Sequence, residues 1–408
     1  MVILKNLYDF LVVGAGASGL VCAIEHKNKF PQDSVAIIEK LPRVGKKILA
    51  TGNGRCNLSN LDACKYDYNH PDFVSAAFEE FPVKSNIEFF ERIGLLTYSD
   101  SENRVYPYSN NASSVLNALR NECERLKIDI ITDTPVQSIK HDNLFIINNN
   151  LKCKKLVVAT GGKSSAVHGS DGSGYKILEH FSHKIIKPVP SLVQICTDNN
   201  ITKKLKGIRV KGALSLIKSC EKIGHSEGEI LFTDYGLSGI ATLDLSYFVA
   251  KQNDISKLKI EIDMAKDFSE KYLFSFIKNE ISHNPENTAN NLLSFILPQK
   301  ASEVFVKECG IDLSRKFVSI KENEIHNLVN IIKHFSLKII KTKGFDMSQV
   351  TCGGADINEF DKNTLESKKV RNLFCCGEIL DIDSKCGGYN LQWAWSSGRL
   401  AGLCKEKK

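Results

Sequence analysis

Phe10-Leu11-Val12-Val13-Gly14-Ala15-Gly16-Ala17-Ser18-Gly19 sets an apolar, strand-forming run directly before a G-x-G-x-x-G turn. The residues that follow predict a helix through about Lys29, and Val35-Ala36-Ile37-Ile38 predicts a second strand ending in Glu39. This is a βαβ unit, and each glycine in its turn has a separate task. Gly14 permits the tight turn, Gly16 lets the backbone approach a pyrophosphate, and Gly19 lets the helix close on the strand. The helix start at Ala17 and Ser18 offers amide donors and positive potential to a diphosphate. Glu39, twenty residues past Gly19, can accept hydrogen bonds from both hydroxyls of an adenosine ribose. In this setting the fingerprint predicts dinucleotide binding.

Working outward, Val115, Leu116, Leu119, Cys123 and Leu126 recur at helical spacing before the strand Ile128-Asp129-Ile130-Ile131. Leu156-Val157-Val158-Ala159 predicts another buried strand, running into Thr160-Gly161-Gly162. After Pro188 and Pro190 the pattern shifts to short strands, among them 208–217 and the alternating Leu258, Ile260, Ile262 and Met264, which predicts an all-β module. From 266 to 333 helical spacing returns, in Tyr272-Leu273-Phe276-Ile277-Ile281 and Ile325-Leu328-Val329-Ile332, before a strand-like Leu337-Lys338-Ile339-Ile340 and a glycine-rich α/β tail. The expected architecture is α/β: a Rossmann-like dinucleotide-binding domain interrupted by an inserted all-β domain and a small helical domain. Its expected boundaries are 1–187 and 344–408 for the dinucleotide-binding domain, 188–265 with a return strand at 334–343 for the β domain, and 266–333 for the helical insertion.

Two later segments choose FAD over NAD. Ala159-Thr160-Gly161-Gly162 closes a strand on small residues suited to backing the adenine end of FAD. Leu373-Phe374-Cys375-Cys376-Gly377-Glu378 ends a strand on a carboxylate suited to ribityl hydroxyls, with Asp381 just beyond. Gly387-Gly388-Tyr389-Asn390-Leu391-Gln392 then opens a helix expected to reach about Cys404. Its N-terminus near the flavin pyrimidine ring would stabilise negative charge on N1 and C2=O of the reduced ring. A second strand-turn-helix fingerprint is absent, because Gly169-Ser170-Asp171-Gly172-Ser173-Gly174 has the wrong order and follows a loop. NAD(P)H is therefore expected only as a transient co-substrate.

The 408 residues are 42% hydrophobic and 25% charged, an ordinary globular balance that excludes disordered and fibrous classes. At roughly 100–200 residues per domain the length predicts two to four domains. A net charge of +7, spread in doublets such as Lys154-Lys155 and Lys203-Lys204, lacks the dense basic stripe of a nucleic-acid groove. No stable nucleic-acid partner is expected. Thirteen cysteines, an odd number without C-x-x-C spacing, predict reduced thiols and no zinc or dithiol site. His168, His180 and His183 show no ligand spacing with partner acids and are expected at the surface or at helix ends, and no metal site is expected. No run reaches the ~18 apolar residues of a membrane span, and no signal-peptide pattern opens the chain, so no membrane association and a cytoplasmic location are expected.

Three blocks carry a likeness to a known family: Gly45-Lys46-Lys47 through Thr51-Gly52-Asn53-Gly54-Arg55-Cys56-Asn57-Leu58-Ser59-Asn60, Phe232-Thr233-Asp234-Tyr235-Gly236-Leu237-Ser238-Gly239, and 377–392. The chain resembles the YhiN/BaiN-like three-domain bacterial flavoproteins over almost its whole length, which implies a Rossmann-like FAD-binding domain interrupted by an inserted β-barrel-like domain and a small helical domain. That resemblance implies that Gly45, Lys46, Lys47, Arg55, Cys56 and Asn57 lie along the flavin, with cations facing phosphate or the ring edge. Lys40, Thr51, Gly52, Val136, Gly388, Tyr389, Asn390 and Leu391 join the cofactor set. Cys56 invites a redox reading, but the next cysteine, Cys64, lies eight residues on; a small side chain packed beside the flavin is expected. The sequence departs from the family where His commonly stands at the Asp234 position, where a proline-bearing loop is usual at 165–168, and where Cys352 and Cys386 replace Thr before Gly-Gly pairs.

Family members are linked to reduction of conjugated carbonyl compounds and to oxidation of small amines. The expectation is an FAD-dependent oxidoreductase transferring hydride through flavin N5, most readily an NAD(P)H-driven reductase of a small conjugated carbonyl substrate bound between the flavin and the inserted domains. An amine oxidase using oxygen, a flavin-binding redox sensor and an RNA-modifying flavoprotein are the alternatives. Asp234, Tyr235 and Arg55 are the candidate catalytic side chains. Substrate identity and oligomeric state are not written in the chain.

Overall fold

A computed structural model describes residues 7–198 and 200–405. The chain forms two compact units, Met1–Pro190 with Gln349–Lys408, and Ser191–Ser348. In the first, β1 (Leu7–Val13), α1 (Ala17–Lys29) and β2 (Val35–Ile38) form the βαβ unit. Phe10, Leu11 and Val12 are fully buried on both faces, as a central parallel strand requires. β1 pairs in parallel with β2 on one side and with Leu151–Val158 on the other. Asp129–Ile131 extends the sheet beyond β2. The far edge of Leu151–Val158 is shared between Leu373–Cys375, parallel, and an antiparallel hairpin through Phe145–Ile147 and Ile139–His141.

This strand order gathers the carboxyl ends Val13, Ile38, Val158 and Cys375 side by side. The turns that leave them converge on one edge, the place where parallel α/β sheets bind ligands. The helix Tyr389–Gly402 lies directly on α1. A Cβ on Gly398 would overlap the Ser18 carbonyl, so the contact is backbone to backbone, and Arg399 adds an ion pair to Glu25 at 2.9 Å.

In the second unit, Ile195–Thr197, Gly236–Ser238, Glu221–Phe232, Arg209–Lys218, Leu258–Asp263 and Phe335–Thr342 close a barrel. The alternation at Leu258, Ile260 and Ile262 points these residues inward while Lys259 faces water. Helices Glu270–His283, Gln299–Glu308 and Glu322–Lys333 follow. Ser269 caps the first, its Oγ accepting from the Tyr272 amide at 3.2 Å.

Three expectations change. The helices of 266–333 do not enclose a core of their own: Leu273, Ile277, Phe305 and Leu328 share one apolar cluster with barrel residues Ile260, Ile262 and Phe335. The segment 188–265, expected as all-β, contains the helix Ile240–Ala250. That helix is apolar on nearly every side, so it shows no amphipathic stripe, and its aromatic and β-branched residues read as strand. His183, expected at the surface or at a helix end, follows the helix Ser173–His180 and is buried. Its Nδ1 meets Glu359 at 2.8 Å, its Nε2 meets the Ser367 hydroxyl at 2.9 Å, and its ring stacks on Phe360.

Candidate functional site

The expected cofactor residues that belong to the first unit meet along the carboxyl edge of its sheet. Gly14 has φ +105°, and a Cβ there would press on the Ala159 carbonyl, whereas a Cβ on Gly16 would meet no atom within 4 Å. The backbone at Gly16 thus faces open space. Gly16 caps α1 without a side-chain hydrogen bond, and no acidic residue occupies the first turn, so the donors at Ala17, Ser18 and Gly19 face this space uncovered. Glu39 borders it: Oε2 accepts from the Ala15 amide at 2.9 Å and Oε1 from the Leu41 amide at 3.0 Å. Those two bonds aim the carboxylate and leave lone pairs for further donors.

The 45–57 loop is tied to the same turn by the Gly45 amide donating to the Ala15 carbonyl at 2.9 Å. Lys47 Nζ lies 2.7 Å from Glu378 Oε2, while Glu378 Oε1 accepts from the Thr351 amide at 2.8 Å. Thr351 Oγ1 accepts in turn from the amides of Lys163 and Ser164. The carboxylate expected at the ribityl chain is therefore held by a lysine and by the amide of Thr351, whose strand the 163–164 loop fastens in turn. Thr51 Oγ1 donates to the Ile48 carbonyl beside Gly52, and Lys46 opens the short helix Lys46–Ala50. The Arg55 guanidinium is exposed and lies 4.7 Å from the Tyr106 ring centroid. Cys56 is fully buried at φ 58°, and burial pushes its thiol up to about 12 although Thr51 hydrogen bonding opposes this. A raised, buried thiol suits packing rather than thiolate chemistry.

At the other end, Gly388 caps the helix Tyr389–Gly402, again without a side-chain cap or an acidic first turn. A Cβ on Gly388 would overlap the Ser59 carbonyl. Asn57 Oδ1, buried and without a partner, lies beside that position. Asn390 works differently from the expectation. Its amide accepts from Ser384 N and donates to the Ser384 carbonyl, both at 3.0 Å, so its side chain fastens the 384–388 turn. The Tyr68 hydroxyl donates to the Tyr389 carbonyl at 2.7 Å, and Asn69 Nδ2 donates to the Asp381 carbonyl at 3.1 Å. Leu391 and Val136 are partly buried against the core.

Asp234 and Tyr235 belong to the second unit. Lys206 pairs with Asp234 at 2.7 Å and holds its exposed carboxyl below the usual range, and Lys343 Nζ sits 3.9 Å from the Tyr235 ring centroid. An aspartate held below its usual range is a poorer proton donor.

Three residues beside the site escaped the sequence: Thr351, which holds the 163–164 amides, and Ser170 and Tyr175, whose buried hydroxyls, like that of the expected Thr160, have no partner. Only the Gly169–Gly174 run signalled Ser170 and Tyr175, and its order differs from a fingerprint. A cavity of about 390 Å³ borders the same run, lined by Lys163, Asp171, Gly172, Ser173, Tyr175 and Lys176 among others, a size suited to a small ligand. Among the described residues no cluster of His, Cys, Asp and Glu could hold a metal, and no helix is long and apolar enough to cross a membrane.

The residues fit FAD: open space before Gly16, two uncapped helix starts, an aimed acidic residue after the second strand and unsatisfied buried hydroxyls are the donors and acceptors a dinucleotide requires. Comparison with known proteins agrees. The family model described as HI0933-like protein Rossmann domain matches residues 8–404. The chain is 34% identical to a 3-dehydro-bile acid delta(4,6)-reductase of Clostridium scindens, covering 97% of this chain and 98% of that protein. It is 30% identical to a ribosomal RNA dihydrouridine synthase of Haemophilus influenzae, covering 96% and 97%. Among solved structures, 3-ketosteroid delta1-dehydrogenase from Sterolibacterium denitrificans superposes with TM-score 0.52 at 12% identity, covering 98% of this chain and 99% of that one, a likeness of fold.

Proposed function

The chain belongs to the HI0933-like Rossmann family, and from that premise we propose that it is an FAD-dependent oxidoreductase that saturates a carbon–carbon double bond conjugated to a carbonyl, with NAD(P)H as a transient electron source. The observation that carries this reading is the convergence of four strand ends and two uncapped helix starts on one edge. Bound there, FAD supplies a ring nitrogen, N5, able to accept and return hydride. The chain supplies the rest. The start of α1 holds the diphosphate, Glu39 takes the ribose, and Lys47 with Glu378 meets the ribityl chain. The start of Tyr389–Gly402 places its dipole against the negative charge of a reduced ring.

The relatives' names support the substrate chemistry. A 3-dehydro Δ4,6 bile acid and a uridine both carry a double bond conjugated to a carbonyl, so one hydride-transfer site serves either. Without a second dinucleotide fingerprint in the chain, NAD(P)H would come and go at the face the organic substrate uses. Arg55 is the catalytic candidate we retain, as a cation that orients the carbonyl.

The test is anaerobic. Protein reduced with NADPH is mixed in turn with a steroid dienone, a uridine-containing ribosomal RNA fragment and oxygen. Reoxidation by the dienone faster than by oxygen is the expected result. Reoxidation by RNA alone would move the substrate to nucleic acid, while reoxidation by oxygen alone, with reduction by a small amine, would make the protein an oxidase.

A further inference from the structure

The Gly169-Ser170-Asp171-Gly172-Ser173-Gly174 run has no place in the function as derived so far. We propose that it is a latch over FAD, closed beside Glu39 by the Lys40–Asp171 ion pair and presenting the Ser170 and Tyr175 hydroxyls to the cofactor. The proposal rests on the FAD reading above.

Sheet order supplies the first argument. Lys40 follows β2 and Asp171 follows the strand Leu151–Val158, and β1 lies between those two strands. A bond from Lys40 to Asp171 therefore spans the carboxyl end of β1 and its Gly14-Ala15-Gly16 turn. Lys40 Nζ lies 2.6 Å from Asp171 Oδ1 and donates to Ser173 Oγ at 3.3 Å. The Ser173 amide donates to the same carboxylate oxygen at 2.9 Å, and the Gly172 amide donates to the Gly162 carbonyl at 3.0 Å. Burial opposes ionisation of Asp171, but these bonds still bring its carboxyl down to about 2.

Shape is the second argument. A Cβ on Gly169 would come 2.9 Å from Leu41 Cδ1, and one on Gly174 would overlap Thr160 Oγ1. Glycine at both places wedges the run between the loop after β2 and the 159–162 turn. Ser170 is 4% exposed and Tyr175 6% exposed, yet Ser170 Oγ, Tyr175 OH and Thr160 Oγ1 have no partner. Buried hydroxyls left unsatisfied are costly, and three around one turn point to a polar ligand. The Tyr175 phenol, pushed up by burial and then by Glu378 and Asp381, lies within the field of the carboxylates expected at the cofactor.

The latch is tested by the rate of flavin release from holoenzyme, followed as the rise in FAD fluorescence on dilution. Asp171→Asn is expected to release FAD about fivefold faster, the scale of a partly exposed ion pair, and Asp171→Glu to restore much of the loss. Added KCl should speed release from the wild type and not from Asp171→Asn, a salt response that a purely structural role would not produce. Ser170→Ala and Tyr175→Phe should each release FAD about fivefold faster with the wild-type salt response. Wild-type rates in all these variants would overturn the latch and leave the FAD reading intact. Wild-type protein that holds no FAD would overturn both.

Discussion

Gly16 and Cys56 show how differently two residues of one proposed site can be read. A Cβ at Gly16 meets nothing in the protein, so Gly16→Val is expected to fold normally while blocking the diphosphate position. Flavin retention should fall at least about tenfold, the equivalent of ~1.4 kcal/mol, in Gly16→Val and in Glu39→Ala. Wild-type flavin content in both, measured by absorbance per mole of protein, would remove the N-terminal assignment. Cys56, with its thiol pushed up to about 12 by burial, should resist iodoacetamide in the native protein while exposed Cys64 and Cys220 react; peptide mapping decides. Gly16 and Glu39 were legible because the fingerprint fixes their spacing within one βαβ unit. Thr351 was not, since its hydroxyl bonds the Ser164 amide across a sequence separation of 187.

At the scale of elements, the contact between α1 and Tyr389–Gly402 bears on both helix starts that the proposed function assigns to the cofactor. Gly398→Ala would push a methyl group into the Ser18 carbonyl and is expected to cost about 1–3 kcal/mol, read from the urea midpoint. Burial lowers the imidazole pKa of His183, against the raising effect of Glu359. The folded state therefore binds fewer protons than the unfolded chain once pH falls through the ordinary imidazole range, and the stability that neutral His183 contributes is lost there. The urea midpoint should drop between about pH 7.5 and about pH 5.5, and drop less in His183→Gln. An equal drop in both would contradict this. Helices with one apolar stripe, such as Glu322–Lys333, could be read from spacing, whereas Ile240–Ala250, buried almost all round, could not.

For the whole molecule, the order α/β, β, α, α/β was visible in the sequence because each change of apolar period marks a change of element type. What spacing could not show is which elements share a core. The helices of 270–333 and the barrel bury one apolar cluster, with Phe305 edge-on to Phe335 at 5.3 Å. Phe305→Ala is expected to cost about 3–5 kcal/mol and to lower barrel and helices together, as one transition seen by both near- and far-ultraviolet circular dichroism. Separate transitions would make the helices an independent domain. The central claim, that the converged edge of the first unit holds FAD and passes electrons through it, is met most directly by the anaerobic visible spectrum of purified protein before and after NADH or NADPH. The account predicts an oxidised flavin band that bleaches on addition of the nicotinamide; a spectrum with no flavin band, even after reconstitution with FAD, would contradict it.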